Sequence, residues 1–184
     1  MNSIHRTAVM GILNITPDSF SDGGRFDSPE QAYKAAKRMA AQGADLIDLG
    51  AQSTRPGATD VGADTELERL LPVLKRLQQA RQEADLPAEL LFSIDTFLAP
   101  VARACLEAGA DWINDVSGGL ADPQMWPTIA DYGCPYVLMH RRGDARSMDS
   151  LAHYDDVVSE VETELLRLCD CLLYTSDAAD DRIC

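Results

Sequence analysis

The sequence has little positive charge. Its 16 Lys and Arg residues stand against 30 Asp and Glu residues, and the net charge is −14. Nucleic acids and anionic membranes bind to basic surfaces, so the charge argues against either kind of partner. No apolar run is long enough to cross a membrane, and the N-terminal segment lacks the pattern of a signal peptide. We therefore expect no membrane association.

Two sequence signatures are also missing. The five cysteines show neither metal-binding spacing nor the spacing of a disulfide framework. We expect reduced thiols and a cytoplasmic location, with Cys105 and Cys134 as core residues. No glycine-rich phosphate-binding motif opens the first predicted helix, which argues against a dinucleotide-binding fold.

The chain does show a regular alternation of strand and helix patterns. Its 184 residues, 46% of them hydrophobic, are enough for one domain with a sizeable core. Five strands are predicted within the segments "AVMGILNI", "ADLIDLG", "ELLFSIDT", "WINDVSG" and "PYVLMH". Helical patterns separate these strands and follow the last one, which predicts βαβ units and a parallel sheet. Val9, Ile12, Leu13 and Ile15 predict a first strand that is buried on both faces.

Polar residues at the carboxyl ends of the predicted strands favour one α/β architecture over another. They are Asn14, Asp48, Asp95, Asn114, Asp115 and His140. In a barrel these strand ends converge on one mouth, whereas an open sheet concentrates its ligand residues at one switch point. We therefore expect a TIM (β/α)8 barrel. It should be incomplete, because about five parallel strands are visible in the sequence.

The residue types at these positions predict a binding chemistry. The Asp95 carboxylate can accept a pair of N–H groups from a guanidine-like ring edge, and the Asn114 amide can both donate to and accept from a heterocycle. Thr54 and Arg55 suit an anionic group, because a guanidinium binds phosphate with two donors. Asn14 offers a neutral oxygen to Mg²⁺ that is otherwise bound by water and phosphate.

Structural roles compete with these functional ones. Asn14 could cap its own turn, and Asn114 could satisfy buried backbone groups. For Asp48, hydrogen bonding to loop amides is the favoured role, and the same role is open to Asp115. We expect His140 to be a hydrogen-bonded strand-end histidine rather than a metal ligand.

Five segments, in order, carry a resemblance to a known family. The segments "MGILNITPDSFSDGG", "DLGAQSTRPGA", "SIDT", "INDVSG" and "VLMH" closely resemble those of dihydropteroate synthases, enzymes of the folate pathway. The resemblance runs from about Val9 to Asp170. It implies a TIM barrel that joins 7,8-dihydropterin-6-ylmethyl diphosphate to 4-aminobenzoate and releases diphosphate. It also implies Mg²⁺ as the cofactor and a homodimeric parent enzyme.

The resemblance assigns roles to individual residues by motif. Asp22 and Arg55 are the expected catalytic residues, with Asp22 stabilising the cationic pterin methylene as diphosphate leaves. Asn14 is the expected Mg²⁺ ligand. The expected substrate-binding residues are Thr54 near the diphosphate, Asp95, Asn114, Asp115 and Met139 at or near the pterin, and Phe20 and Pro56 at the 4-aminobenzoate.

One alternative function remains open. The pterin- or folate-binding barrel module of a methyltransferase shares the strand-end Asp and Asn residues but has no synthase chemistry. The loop "TPDSFSDGG" favours the synthase, because a departing diphosphate needs a lid. The sequence departs from the family pattern at Phe97-Leu98 and at Arg141-Arg142, which affects local loop contacts rather than the class.

The last part of the sequence has a different character. The segment "CLLYTSDAADDRIC" breaks the helical pattern and resembles the translation of a sequencing adapter. We expect residues 1–170 to form a partial pterin-binding barrel and residues 171–184 to be a non-native tail. Later segments of the family, among them Asp-Pro-Gly-Ile-Gly and a terminal Arg-x-His, are missing. We therefore expect the 184-residue chain to lack synthase activity and to leave its first and fifth strands as open edges.

Overall fold

Strands and helices alternate along the chain. A computed structural model describes residues 6–16, 28–52, 61–144 and 146–180. The strands are β1 (Met10–Asn14), β2 (Leu46–Gly50), β3 (Leu91–Asp95), β4 (Trp112–Asp115) and β5 (Tyr136–Leu138). The helices are α1 (Ser28–Ala41), α2 (Ala63–Gln82), α3 (Ala99–Glu107), α4 (Met125–Tyr132), α5 (Met148–Leu151) and α6 (Val157–Asp180). All five predicted strands are confirmed.

The strands form one parallel sheet in chain order, β1-β2-β3-β4-β5. Within the described ranges, β1 and β5 each pair on one side only, so the sheet is open, as expected for an incomplete barrel. One face packs against α1–α4 and contains the apolar core, which includes Leu13, Leu49, Ile94 and Ile113. The opposite face carries the alternate residues of each strand.

The first strand is buried on one face only. Leu13 and Ile15 lie in the core, but Val9 is 51% exposed and Ile12 is 66% exposed. The expectation that β1 is buried on both faces is therefore wrong. The reason is that, in the described part of the chain, the helices of the core cover one side of the sheet.

Gly-Ala-Asp followed by an apolar residue occurs twice, at residues 43–46 and 109–112, and both copies have a structural explanation. Both glycines adopt positive φ, 100° at residue 43 and 95° at residue 109, which an L side chain rarely adopts. Each turn then places an Asp next to the preceding strand. The Oδ2 atom of Asp45 accepts the backbone N–H of Val9 at 2.8 Å, and Oδ2 of Asp111 accepts that of Phe92 at 2.9 Å. The two copies thus join one strand to the next in the same way.

The cysteines predicted to be core residues lie in apolar surroundings. Cys105 is fully buried in the core, and Cys134 is partly buried against it. Burial, with a smaller contribution from the carboxylate of Glu66, raises the pKa of Cys105 to about 12. Both assignments are confirmed, and the Cys105 thiol stays protonated at neutral pH.

Helix α6 continues past the point at which the sequence predicted a break. It runs through Cys171 to Asp180, because this segment contains no glycine or proline to interrupt it. Leu168 is buried, whereas Leu173 and Tyr174 are exposed. The expected loss of helix at residue 171 is thus not seen, and the assignment of residues 171–184 as non-native stays a prediction. Within the described ranges, neither α6 nor another helix is long and apolar enough to cross a membrane.

Candidate active site

Polar side chains line the carboxyl ends of the strands on the face away from the helices. The hydrogen-bonding register aligns Asn14 with Gly50, Gly50 with Asp95, and Asp95 with Asn114. Two residues earlier, Asp48 is aligned with Ser93. Residues two apart along a strand share a face, so all of these side chains lie on one surface. The polar row is the set Asn14, Asp48, Ser93, Asp95 and Asn114.

Gly50 leaves a gap in this surface. A Cβ atom at Gly50 would lie 3.3 Å from Oδ2 of Asp95 and 3.4 Å from Oδ1 of Asn14. The missing side chain therefore leaves room for side-chain oxygen atoms of both neighbouring strands beside the bare backbone of β2. A flat ligand can come close to the strand at this position, and a larger residue would occupy the same space.

Asp48 interacts with a side chain rather than with a loop. Its Oδ2 accepts a hydrogen bond from Nδ2 of Asn114 at 3.0 Å, and the residue is only 5% exposed. Its Oδ1 is buried and has no hydrogen-bond partner in the described ranges. The favoured prediction that Asp48 binds loop amides is therefore wrong, because the alternation of β2 turns it onto the polar row.

Three buried oxygen atoms of the polar row lack partners among the described residues. They are Oδ1 of Asp48, Oγ of Ser93 and Oδ1 of Asp95. A buried polar atom without a partner costs about 1–3 kcal/mol. Three such atoms at neighbouring positions on one face make this surface the candidate binding site for a ligand with hydrogen-bond donors.

The electrostatic environment of Asp95 also favours a donor-bearing ligand. Burial, and then repulsion from the carboxylates of Asp48, Glu66 and Asp115, raises the pKa of Asp95 to about 7. No ion pair to Asp95 occurs within the described ranges. A ligand with N–H groups or positive charge would relieve this repulsion and stabilise the ionised form.

Asp115 faces away from the polar row. Its Oδ1 accepts the backbone N–H of Ser117 at 2.7 Å, and its Oδ2 accepts the N–H of Gly119 at 3.0 Å and the hydroxyl of Tyr136 at 2.8 Å. The residue is completely buried. Because Asp115 follows Asn114 directly in β4, the two side chains point to opposite faces of the sheet. This position does not support the predicted place of Asp115 beside the pterin, and it agrees with the competing role of binding loop amides.

A comparison with family models agrees with this geometry. The model described as "Pterin binding enzyme" matches residues 10–172. The chain belongs to the pterin binding enzyme family. The matched region contains all five strands and the whole polar row.

The proteins that this chain resembles include dihydropteroate synthases. The dihydropteroate synthase of Synechocystis sp. is 49% identical over 156 residues, which cover 85% of this chain and 52% of that protein. A structure of Xanthomonas albilineans dihydropteroate synthase with 4-aminobenzoic acid has a TM-score of 0.79 at 42% identity and covers 95% of this chain and 59% of that one. The same enzyme in complex with 7,8-dihydropteroate has a TM-score of 0.74 at 38% identity, with 94% and 57% covered. The chain thus spans about half to three fifths of these relatives, and the TIM-barrel class is confirmed.

Met139 and His140, which directly follow β5, differ in their surroundings. Met139 follows the strand directly and is partly exposed. Nε2 of His140 lies 2.7 Å from Oε2 of Glu164, which also pairs with Arg142. Arg142 and then His140 lower the pKa of Glu164 to about 2. The prediction that His140 is a hydrogen-bonded histidine is confirmed.

Five predicted site residues lie outside the described residues. They are Phe20, Asp22, Thr54, Arg55 and Pro56. Their roles in catalysis and in binding of diphosphate and 4-aminobenzoate stay predictions.

A buried polar pair next to β2 was not predicted. Nε2 of Gln52 donates to Oε1 of Glu66 at 2.7 Å, and Nη1 of Arg69 donates to the carbonyl of Ala51 at 2.6 Å. The first turns of α2 therefore fix the position of the two residues that directly follow β2. The sequence did contain a signal, since Glu66 lies four residues before Leu70 and shares the buried face of α2.

Proposed function

We propose that this chain is the pterin-binding part of a dihydropteroate synthase, which joins 7,8-dihydropterin-6-ylmethyl diphosphate to 4-aminobenzoate. The observation that carries the proposal is the alignment of Asp95 with Asn114 on a surface with three buried oxygen atoms that lack partners among the described residues. The edge of a pterin presents N–H groups like those of a guanidine, which match these acceptors. The Xanthomonas structures with 4-aminobenzoic acid and with 7,8-dihydropteroate support the same substrates, and these relatives favour a synthase over a methyltransferase module.

The proposed reaction is a substitution at the pterin methylene carbon. The amine nitrogen of 4-aminobenzoate forms a bond to this carbon, and the carbon–oxygen bond to diphosphate breaks with its electron pair on the leaving oxygen. The amine then loses a proton. In this reaction Asp95 and Asn114 hold the pterin, Asp22 stabilises the positive charge on the methylene, and Arg55 binds the diphosphate.

Mg²⁺ is the cofactor that we propose for this site. Oδ1 of Asn14 lies at the edge of the polar row and faces Oδ2 of Asp95 across Gly50. Mg²⁺ binds hard oxygen atoms and keeps several water and phosphate ligands, so one neutral protein oxygen fits this cation. When bound, the cation would neutralise charge on the diphosphate.

Asn14→Ala is expected to weaken the effect of Mg²⁺ on binding of the pterin diphosphate. The variant removes the proposed metal-ligating oxygen but leaves Asp95 and Asn114 in place. Calorimetry of the 184-residue chain should show that Mg²⁺ increases the affinity of the unchanged chain more than that of the variant. Binding of 6-hydroxymethylpterin, which has no diphosphate, serves as the control and should not change. An identical response to Mg²⁺ in both chains would show that Asn14 only caps its turn.

The proposed function has a direct test in pterin binding. We expect the chain to bind 6-hydroxymethylpterin saturably, and more than tenfold more tightly at pH 7.5 than at pH 5.5. The physical reason is that Asp95, with a pKa of about 7, must lose its proton before it accepts two N–H groups. Calorimetry at the two pH values measures this ratio. Absence of saturable binding at pH 7.5 would contradict the proposal.

Two further properties accompany the proposed function. A homodimeric parent enzyme and a cytoplasmic location agree with the resemblance and with the cysteine content of the sequence. Both stay predictions.

A further inference from the structure

We infer that Asp48 is a positioning residue that fixes the orientation of the Asn114 amide in the binding site. Nδ2 of Asn114 donates to Oδ2 of Asp48 at 3.0 Å. That the ligand bound by Asn114 is a pterin rests on the proposed function. The role of Asp48 itself rests on this hydrogen bond.

The inference follows from what each side chain can donate. A carboxylate has only acceptor atoms, whereas an amide has a donor end and an acceptor end of similar shape. An asparagine without a fixed neighbour can present either end to a ligand. Because Asp48 takes the donor end of Asn114, the amide oxygen is left to accept from the ligand.

The sheet makes this contact possible. Asp48 lies on β2 and Asn114 lies on β4, so their hydrogen bond spans the intervening strand β3. Ser93, the residue of β3 aligned with Asp48, has a small side chain that leaves room for the contact. Burial of Asp48 shields the bond from water and so favours one amide orientation.

The orientation also defines what the site recognises. Asn114 is aligned with Asp95, and neighbouring strands lie about 4.8 Å apart. The amide oxygen of Asn114 and the Asp95 carboxylate therefore present two adjacent acceptors. A heterocycle with N–H donors at two neighbouring positions fits them, whereas a ring with an acceptor facing Asn114 does not.

A double-mutant cycle tests the inference. In the otherwise unchanged chain, Asp48→Asn should weaken binding of 6-hydroxymethylpterin at pH 7.5 about tenfold, because Asn114 can then turn either end towards residue 48. In the Asn114→Asp background, the same Asp48→Asn change should instead strengthen binding. It removes the repulsion between two carboxylates and restores one donor–acceptor pair. An equal loss in both backgrounds would overturn the inference, since it would show that Asp48 acts independently of Asn114.

A second measurement needs neither a variant nor a ligand. In NMR spectra of the unchanged chain, the side-chain amide protons of Asn114 should exchange slowly with water, because one is bound to a buried carboxylate. Fast exchange of both protons would contradict the inference. Failure of the unchanged chain to bind pterin would contradict the proposed function alone, because this NMR result is independent of the ligand. Asp131→Asn, which changes an exposed carboxylate bound to Arg103, is the matched control for the binding measurements of the mutant cycle.

Discussion

Asp95→Asn is expected to weaken pterin binding and, at the same time, to stabilise the fold. The affinity for 6-hydroxymethylpterin at pH 7.5 should fall more than tenfold, a loss of at least about 1.4 kcal/mol. The carboxylate accepts a pair of N–H groups, whereas an amide places its own donors against one of them. Oδ1 of Asp95, which lacks a partner in the described ranges, is available to accept one of these N–H groups.

The stabilising effect follows from the raised pKa of Asp95. Between pH 4 and pH 7 the folded chain keeps a proton on Asp95 that the unfolded chain has lost, because the pKa is about 7 in the fold and 3.8 without it. The unfolded state binds fewer protons in this range, so the free energy of unfolding decreases as the pH rises and becomes constant above pH 7. Asparagine does not ionise, so the free energy of unfolding of the variant does not decrease in this way as the pH rises. The variant should therefore gain up to about 4 kcal/mol over the unchanged chain at pH 8 and little at pH 4.

Urea unfolding at pH 4.5, 6 and 8 measures this difference, and calorimetry measures binding. Asp131→Asn removes an exposed carboxylate and should change neither quantity beyond about 0.5 kcal/mol. A variant with unchanged pterin affinity would remove Asp95 from the site. A variant that is equally destabilised at every pH would show that Asp95 has structural partners in the ligand-free chain.

Asp115→Ala is expected to destabilise the fold by about 3–5 kcal/mol. The change removes the acceptors for the N–H groups of Ser117 and Gly119 and for the Tyr136 hydroxyl, of which the first is buried and the other two are partly buried. Each unsatisfied buried donor costs about 1–3 kcal/mol. Because whole domains are stable by about 5–15 kcal/mol, much of the chain should unfold at mild urea concentrations.

The measurement for Asp115 is again urea unfolding, followed by circular dichroism. Tyr136→Phe removes one of the three hydrogen bonds and should cost about 1 kcal/mol, which provides a matched comparison. If Asp115 binds the pterin, as the resemblance implies, the expected changes in stability and in affinity are different. If the Ala variant kept its stability within 1 kcal/mol and lost pterin affinity, Asp115 would belong to the binding site and not to the loop.

The sequence by itself determined the class of fold and the position of Asp95 and Asn114 at the carboxyl ends of strands. Short apolar runs separated by helical patterns are local features, and they predicted the five strands correctly. Asp95 and Asn114 were predicted as site residues because each lies at or next to the end of a buried strand, and parallel strands bring such ends to one edge. The long motifs near residues 10–24 and 48–58 identified the family, since their order and length are specific.

The tertiary structure decided which face each polar residue occupies. Alternation along β4 requires Asn114 and Asp115 to point in opposite directions, but the sequence does not say which one faces the helices. The register with β3 settles this, because it aligns Asn114 with Asp95 and turns Asp115 towards Tyr136. The contact between Asp48 and Asn114 spans a whole strand, and no local pattern encodes such a contact. The exposure of one face of β1 was likewise decided by the tertiary structure, because burial depends on which elements cover the sheet and not on the strand's own residues.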